Sequence, residues 1–346
     1  MEGPILIAGA GSIGSVFGAK LRTAGYPVTL LGRRQHLEAI AARGLELSGL
    51  FGELTARGFT LADDPARLDG RFPLILFTVK SYDTAAMARA LAGRLAGDGI
   101  IVSMQNGLGN IETLAAHFGP NRVLGARVIF GAELPRPGAA HVTVFAEPVA
   151  IGPAPGIQGQ AAQGEAAPGL ERRAKQIADA KQIADLIGAA GIPSHWCADI
   201  MPTLWSKVLY NAALNPLGAL LRLHYGALAG DPDLRRIMDQ VIEEAFAVAR
   251  RLGVALPFAG TAEYRALFYG KLVPSTYDHR PSMLADLERR GRTEIGALNG
   301  KIAELAESMG LAADLNRALT GLIRASEQQR RRDIKSDIKC DDKEGT

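Results

Sequence analysis

Ile5-Leu6-Ile7-Ala8-Gly9-Ala10-Gly11-Ser12-Ile13-Gly14 sets four apolar residues, a glycine-rich turn and the start of a helical pattern in immediate succession. The glycines follow GxGxxG, placed where a strand should hand over to a helix. Gly9 permits the tight turn, Gly11 lets backbone approach a pyrophosphate, and Gly14 lets helix and strand pack closely. Ala10, Ser12 and Ile13 complete a cradle at a helix N-terminus, which favours negative charge. Outward from this loop, residues 5–8, 28–31, 74–79, 100–103 and 123–125 are short continuous apolar runs, the mark of strands buried on both faces of a parallel sheet. Helical patterns over 15–24, 35–43, 83–95 and 110–117 supply the crossovers. The expected fold is α/β: an N-terminal Rossmann-type doubly wound sheet, here 1–199, followed by an all-α domain, 200–326.

The end of the second strand selects the cofactor. An NAD site usually places Asp or Glu there for the ribose hydroxyl, but this chain reads Gly32-Arg33-Arg34, with no acidic residue from Gly3 to Leu37. An extra phosphate suits these arginines, so NADPH is the expected cofactor, with Arg33 its first reader and Arg34 its second. The competing reading has the arginines merely covering the sheet edge.

Composition narrows the class. With 39 Lys+Arg against 36 Asp+Glu in 346 residues, the net charge is +3, which gives no basic surplus for nucleic acid. No apolar run approaches the roughly 20 residues of a membrane span, and the N-terminus lacks the basic region of a signal peptide. The two cysteines, Cys197 and Cys340, are far apart, so a reducing cytoplasm is expected. No metal is expected. Residues 140–145 alternate and 148–152 follow, a ribbon that should end the sheet. Residues 153–169, rich in Pro, Gly, Gln and Ala, read as a mobile insertion. Ala-Lys-Gln-Ile-Ala-Asp then occurs twice, at 174–179 and 180–185. On a helix, six residues turn the chain by about 600°, so Ile177 and Ile183 cannot both face the core. The last twenty residues, 327–346, carry six charges of each sign and read as a disordered tail.

A second constellation lies in the helical half. Lys207, Asn211 and Asn215 are four apart, which places them nearly above one another, about 40° apart per step, while Val208, Leu209, Tyr210, Ala212, Ala213 and Leu214 make the helix apolar elsewhere. Such a stripe inside a buried helix is costly unless a polar ligand meets it; the competing reading is a solvated stripe on a partly exposed helix. Lys80 and Asn106, each just after a strand, sit where doubly wound sheets bind ligands. A surface lysine and an ordinary Asn-Gly turn are the competing readings there.

These residues together resemble the ketopantoate reductase (2-dehydropantoate 2-reductase) family. Gly9 to Gly14, Thr78-Val79-Lys80, Gln105-Asn106-Gly107, Trp205-Ser206-Lys207 through Asn211 to Asn215-Pro216, Pro281-Ser282-Met283-Leu284 and Thr293-Glu294-Ile295 through Leu298-Asn299-Gly300 follow that family's order over about 4–326. The resemblance implies NADPH-dependent reduction of 2-dehydropantoate to (R)-pantoate, toward pantothenate and coenzyme A. It makes Lys207 the general acid, with Glu294 supporting it. Asn211, Asn215 and Ser282 then hold the substrate hydroxyl and carboxylate, while Lys80 and Asn106 lie by the nicotinamide and the reacting carbonyl. Lys80 and Asn106 count toward the cofactor site as well as the substrate site, and Glu294 toward the cofactor site as well as the catalytic pair.

Ser282 could otherwise serve as a helix N-cap, and Glu294 as a first-turn carboxylate. Asn299-Gly300 reads as a weak point in a helix and stays outside the site. One departure stands out: His279 occupies the place, three before Ser282, where family members often carry a substrate-binding Asn. It puts the acyl group in question. The rivals are a reductase of another branched 2-oxo acid, an opine-type dehydrogenase, or a non-catalytic NADPH sensor. The helical domain could also support a homodimer.

Overall fold

The computed structural model describes residues 3–155 and 168–344. Most of the insertion expected at 153–169 therefore lies outside the described residues. The chain forms two compact units, Met1–Ile200 and Met201–Thr346.

The first unit is built on one sheet of ten strands among the described residues: β1 (Ile5–Ala8), β2 (Val28–Leu31), β3 (Leu45–Gly49), β4 (Leu54–Ala56), β5 (Thr60–Ala62), β6 (Phe72–Phe77), β7 (Leu95–Ser103), β8 (Val123–Glu133), β9 (Ala139–Gly152) and β10 (Ser194–Trp196). The main order is β4-β3-β9-β8-β7-β6-β1-β2-β5, with β10 beside β9. β1 lies parallel between β2 and β6, with Ile7 facing Leu30 and Leu76. All four β1 residues are buried, as the unbroken apolar run requires. Helices α1 (Ser12–Thr23), α2 (Arg34–Arg43), α3 (Thr84–Ala90), α4 (Asn110–Phe118) and α5 (Pro168–Ala189) join the strands.

One expectation changes here and one holds. Residues 140–145 and 148–152, expected as a ribbon that ends the sheet, form one strand, β9, antiparallel to β8, and it does not end the sheet: β3 pairs parallel with β9, and β4 continues outward. Leu45 and Leu47 of β3 are buried, so the hairpin covers an apolar edge that the ribbon would otherwise expose. The repeat behaves as its phase demands. Ile183 is buried while Ile177 is only half-buried, and Gln176 reaches the Pro120 carbonyl at 3.0 Å while Gln182 is exposed.

The second unit is helical: α6 (Met201–Leu221), α7 (Tyr225–Gly230), α8 (Pro232–Arg251), α9 (Thr261–Leu267), a π-helical turn (Phe268–Leu272) running into α10 (Val273–Ser275), α11 (Ser282–Arg290), α12 (Asn299–Ser308) and α13 (Asp314–Glu344). α6 is its centre, packed by α8, α11 and α13, with Trp205, Leu209, Ala212, Ala213 and Leu214 fully buried. Each large apolar side chain so buried contributes about 1.5–3 kcal/mol.

The stretch 327–344, expected to be a tail without structure, continues α13 instead. Its opposite charges fall at helical spacing, as in Glu327–Arg331 at 3.7 Å, and such pairs support a helix. Glu327 itself is buried.

Candidate active site

In the first unit the glycine loop lies at the carboxyl end of β1. Gly9 has φ +114°, and a side chain there would lie 2.6 Å from the Val79 nitrogen. A Cβ on Gly14 would meet the Gly9 oxygen and Thr78 Oγ1. Thr78 in turn donates to the Gly9 carbonyl at 2.7 Å, so the end of β6 braces the loop. Gly11 differs, since a Cβ there would meet nothing within 4 Å. The first α1 bond runs from Ser15 N–H to the Gly11 carbonyl at 2.8 Å, so the Ser12, Ile13 and Gly14 amides precede it and point along the helix axis. With no acidic residue in that first turn, the loop fits a dinucleotide pyrophosphate.

Gly32 ends β2 against Ala10, whose Cβ would stand 2.7 Å from its own. Arg33 follows in extended conformation just before α2 and is exposed. Arg34, also exposed, is tied to Asp63 (Nε–Oδ2 2.8 Å), and Arg67 holds the other oxygen of the same carboxylate at 2.8 Å. The hydrogen bond from Arg34 pulls the Asp63 carboxyl below its ordinary pKa. Parallel pairing of β2 with β5 delivers Asp63 beside Gly32. The acid-free run from Gly3 to Leu37 therefore acquires an acid in three dimensions, outnumbered by Arg33, Arg34 and Arg67.

Lys80 and Asn106 follow β6 and β7, both half-buried. A polar network joins their loops: Gln105 Nε2 donates to the Val79 carbonyl (2.9 Å) and to Thr84 Oγ1 (2.7 Å). Thr84 bonds Asn110 Oδ1 at 2.9 Å, and Asn110 Nδ2 donates to the Asn106 carbonyl at 2.9 Å. Gln105, Thr84 and Asn110 are buried and were not singled out in the sequence, although Gln105 belongs to the Gln105-Asn106-Gly107 motif. A buried polar residue bordering a strand end was the signal.

In the second unit Lys207, Asn211 and Asn215 run along α6, the first two half-buried and Asn215 5% exposed. Asn215 Oδ1 accepts from the Tyr225 hydroxyl at 2.6 Å. Ser282 is the first residue of α11, after Pro281, and its exposed side chain makes no cap; the capping role is not realised. Pro281 packs on Gly218, where a Cβ would lie 2.4 Å from the proline ring, so only glycine on α6 lets the start of α11 come this close. Glu294 is buried ahead of a short 3-10 turn, Ile295–Ala297. Its neighbour Thr293 donates through both N–H and hydroxyl to Glu327 Oε1, each at 2.7 Å. His279 keeps part of its surface in solvent, while its imidazole packs 5.2 Å from the Tyr225 ring, and this partial burial lowers its pKa. Among the described residues no His, Cys, Asp and Glu gather as a metal site. No described helix is long and apolar enough to cross a membrane.

Two family models match the chain: "Ketopantoate reductase PanE/ApbA" over residues 5–156 and its C-terminal counterpart over 199–327. The 2-dehydropantoate 2-reductase of Aquifex aeolicus (strain VF5) is 33% identical over 324 residues, which are 93% of this chain and 96% of that protein. The crystal structure of a PanE/ApbA family ketopantoate reductase from Ralstonia eutropha JMP134 superposes with a TM-score of 0.80 at 30% identity, covering 95% of this chain and 100% of that one. A ternary structure of D-mandelate dehydrogenase with NADH and anilino(oxo)acetate has a TM-score of 0.81 over 95% of this chain and 100% of that one. At 23% identity this likeness speaks for the fold alone.

Proposed function

Because the chain belongs to the ketopantoate reductase (PanE/ApbA) family, we propose that it reduces 2-dehydropantoate to (R)-pantoate with NADPH as the electron donor. The enzyme class, a nicotinamide-dependent 2-dehydropantoate 2-reductase, follows from the family; the choice of NADPH follows from the arginines after β2. The observation that carries the residue assignments is the stripe on α6. Lys207, Asn211 and Asn215 share one face of α6, whose other residues from Leu204 to Ala219 are buried except the half-buried Ser206 and Tyr210, and such a stripe suits a polar acyl ligand.

When bound, the reduced nicotinamide supplies hydride to the 2-oxo carbon. Lys207 gives a proton to the carbonyl oxygen as charge develops there, ends neutral and regains its proton from solvent; the product is the 2-hydroxy acid. Glu294 supports the lysine. Asn211, Asn215 and Ser282 hold the substrate hydroxyl and carboxylate, while Lys80 and Asn106 flank the nicotinamide end. Gly9 to Gly14 cradle the pyrophosphate, and Arg33 reads the 2′-phosphate. The substrate is a small molecule and the setting is the cytoplasm.

His279 favours a second reading, a reductase of a related branched 2-oxo acid. The deciding experiment follows NADPH oxidation with ketopantoate and with 2-oxoisovalerate, which lacks the hydroxyl, and repeats it on Lys207→Ala. Preference for ketopantoate and a kcat lower by orders of magnitude in the variant are expected. A kcat within a few-fold of wild type would remove Lys207 from the role of acid. Equal turnover of both acids would favour the second reading.

A further inference from the structure

We propose that Tyr225 is a positioning residue for the 2-oxo acid: its hydroxyl orients the Asn215 amide, and its ring and backbone seat His279 beside it. This rests on the reading above and deepens it at the acyl end.

Tyr225 opens α7 and is 3% exposed. Its hydroxyl donates to Asn215 Oδ1 at 2.6 Å. A primary amide has one acceptor oxygen and one donor nitrogen, so engaging the oxygen leaves Nδ2 as the face of Asn215 that meets a ligand. That face is a donor, which suits a carboxylate or hydroxyl oxygen. Burial raises the Tyr225 pKa well above its ordinary value, so the phenol keeps its proton and the amide keeps its orientation.

The same tyrosine fixes the turn that carries His279. Its N–H donates to the His279 carbonyl at 3.1 Å, and the Gly226 N–H donates to the Tyr277 carbonyl at 2.8 Å. Gly226 leaves room for the Tyr277 ring, which a Cβ would meet at 2.3 Å. The His279 N–H donates to the Thr276 carbonyl at 2.9 Å, and Thr276 Oγ1 lies 2.6 Å from the Tyr210 hydroxyl of α6. The Tyr210 and Tyr225 rings meet edge-on, 5.7 Å apart at 86°. Asn215 and His279, 64 positions apart in sequence, are thus two ends of one bonded and stacked unit with Tyr225 at its centre. The acyl substituent meets an imidazole backed by a phenol ring. Such a pair offers flat apolar surface and a single hydrogen bond where an amide offers donors and an acceptor.

Tyr225→Phe tests this, since it keeps the ring stack and removes only the hydroxyl. The expected result is a KM for ketopantoate raised about tenfold, with kcat and NADPH affinity within about twofold. Asn215→Asp, which keeps an acceptor for Tyr225 and replaces the donor nitrogen with oxygen, should raise KM further. His279→Asn should shift the ratio of ketopantoate to 2-oxoisovalerate turnover. An unchanged KM in both Tyr225→Phe and Asn215→Asp overturns the proposal, as does a rise in KM accompanied by matching falls in kcat, NADPH affinity and thermal stability. Failure of the underlying reading is separate: wild-type enzyme would then bind NADPH and turn over neither acid.

Discussion

Asn299 Nδ2 lies 3.0 Å from the carbonyl oxygen of Ala212, the helical acceptor that Pro216, four residues on and inside α6, has no N–H to satisfy. An amide from the first residue of α12 thus replaces the missing bond at the kink-prone end of the α6 stripe, just where Asn215 stands. Asn299 is fully buried and also donates to Asn316 Oδ1 at 3.0 Å. Far from marking a weak point, Asn299 repairs one.

Asn299→Leu should therefore destabilise the protein by about 1–3 kcal/mol, the cost of a buried carbonyl left unpaired. In a Pro216→Ala background the restored N–H can take the Ala212 carbonyl, and part of that loss should vanish. Denaturant midpoints for the four proteins of the cycle give the coupling directly. Additive losses would show that Asn299 acts through Asn316 alone.

At the cofactor end, Arg34 is committed to Asp63 while Arg33 is not among the carboxylate's partners. Arg33→Ser should lower kcat/KM with NADPH by about tenfold or more while leaving NADH nearly unchanged. Arg34→Ser should do less to NADPH directly, because that guanidinium already serves Asp63. Steady-state assays with both nucleotides measure this. Equal loss with NADH and NADPH in Arg33→Ser would mean a structural role at the sheet edge.

Glu327 stands at what the charge pattern reads as the start of a tail, yet its carboxylate accepts from Thr293 N–H and hydroxyl and so fixes the segment carrying Glu294. Glu327→Ala should cost about 1.5–3 kcal/mol of stability, the range for hydrogen bonds to a charged group, and lower kcat through Glu294. Glu327→Gln, which keeps an acceptor, should recover most of kcat. Thermal unfolding and kcat measured on both variants decide it. A kcat unaffected in Glu327→Ala would separate Glu294 from this anchor.

What could be read in advance depended on whether the governing contacts were local. The run Ile5 to Ala8, the glycines that follow and the spacing of Lys207, Asn211 and Asn215 are local in sequence, and each carries its geometry in its own period. Strands β3, β4 and β5 are three to five residues long and only partly buried, so no apolar run announced them. Their placement rests on pairing with distant β9 and β2. Asp63 entered the cofactor end by that route, invisible to any count along the chain. Asn299, Glu327 and Tyr225 were missed for a related reason: each serves a backbone or side-chain group tens of residues away or across a turn, and nothing in the neighbouring sequence names its partner.

His36, buried on α2, supplies the last prediction. Gly138 N–H donates to its Nδ1 at 3.1 Å, which leaves the proton on Nε2, 3.0 Å from Ser15 Oγ on the glycine-loop helix α1. Both nitrogens are thus used by the neutral ring, and burial holds the imidazole pKa below its ordinary 6.5. Between the folded value and 6.5 the unfolded chain binds a proton that the folded chain does not, so this residue's contribution is intact above 6.5 and is lost as pH falls through that window. Protonating the folded ring would also expel the Gly138 bond. Thermal unfolding from about pH 7.5 to about pH 5 should show wild type losing stability more steeply than His36→Asn. His279 is shifted in the same direction and is present in both proteins, so the difference between the two curves belongs to His36. Parallel curves would mean that the ring gains a proton without disturbing α1, and the link between acid and the glycine loop would fall.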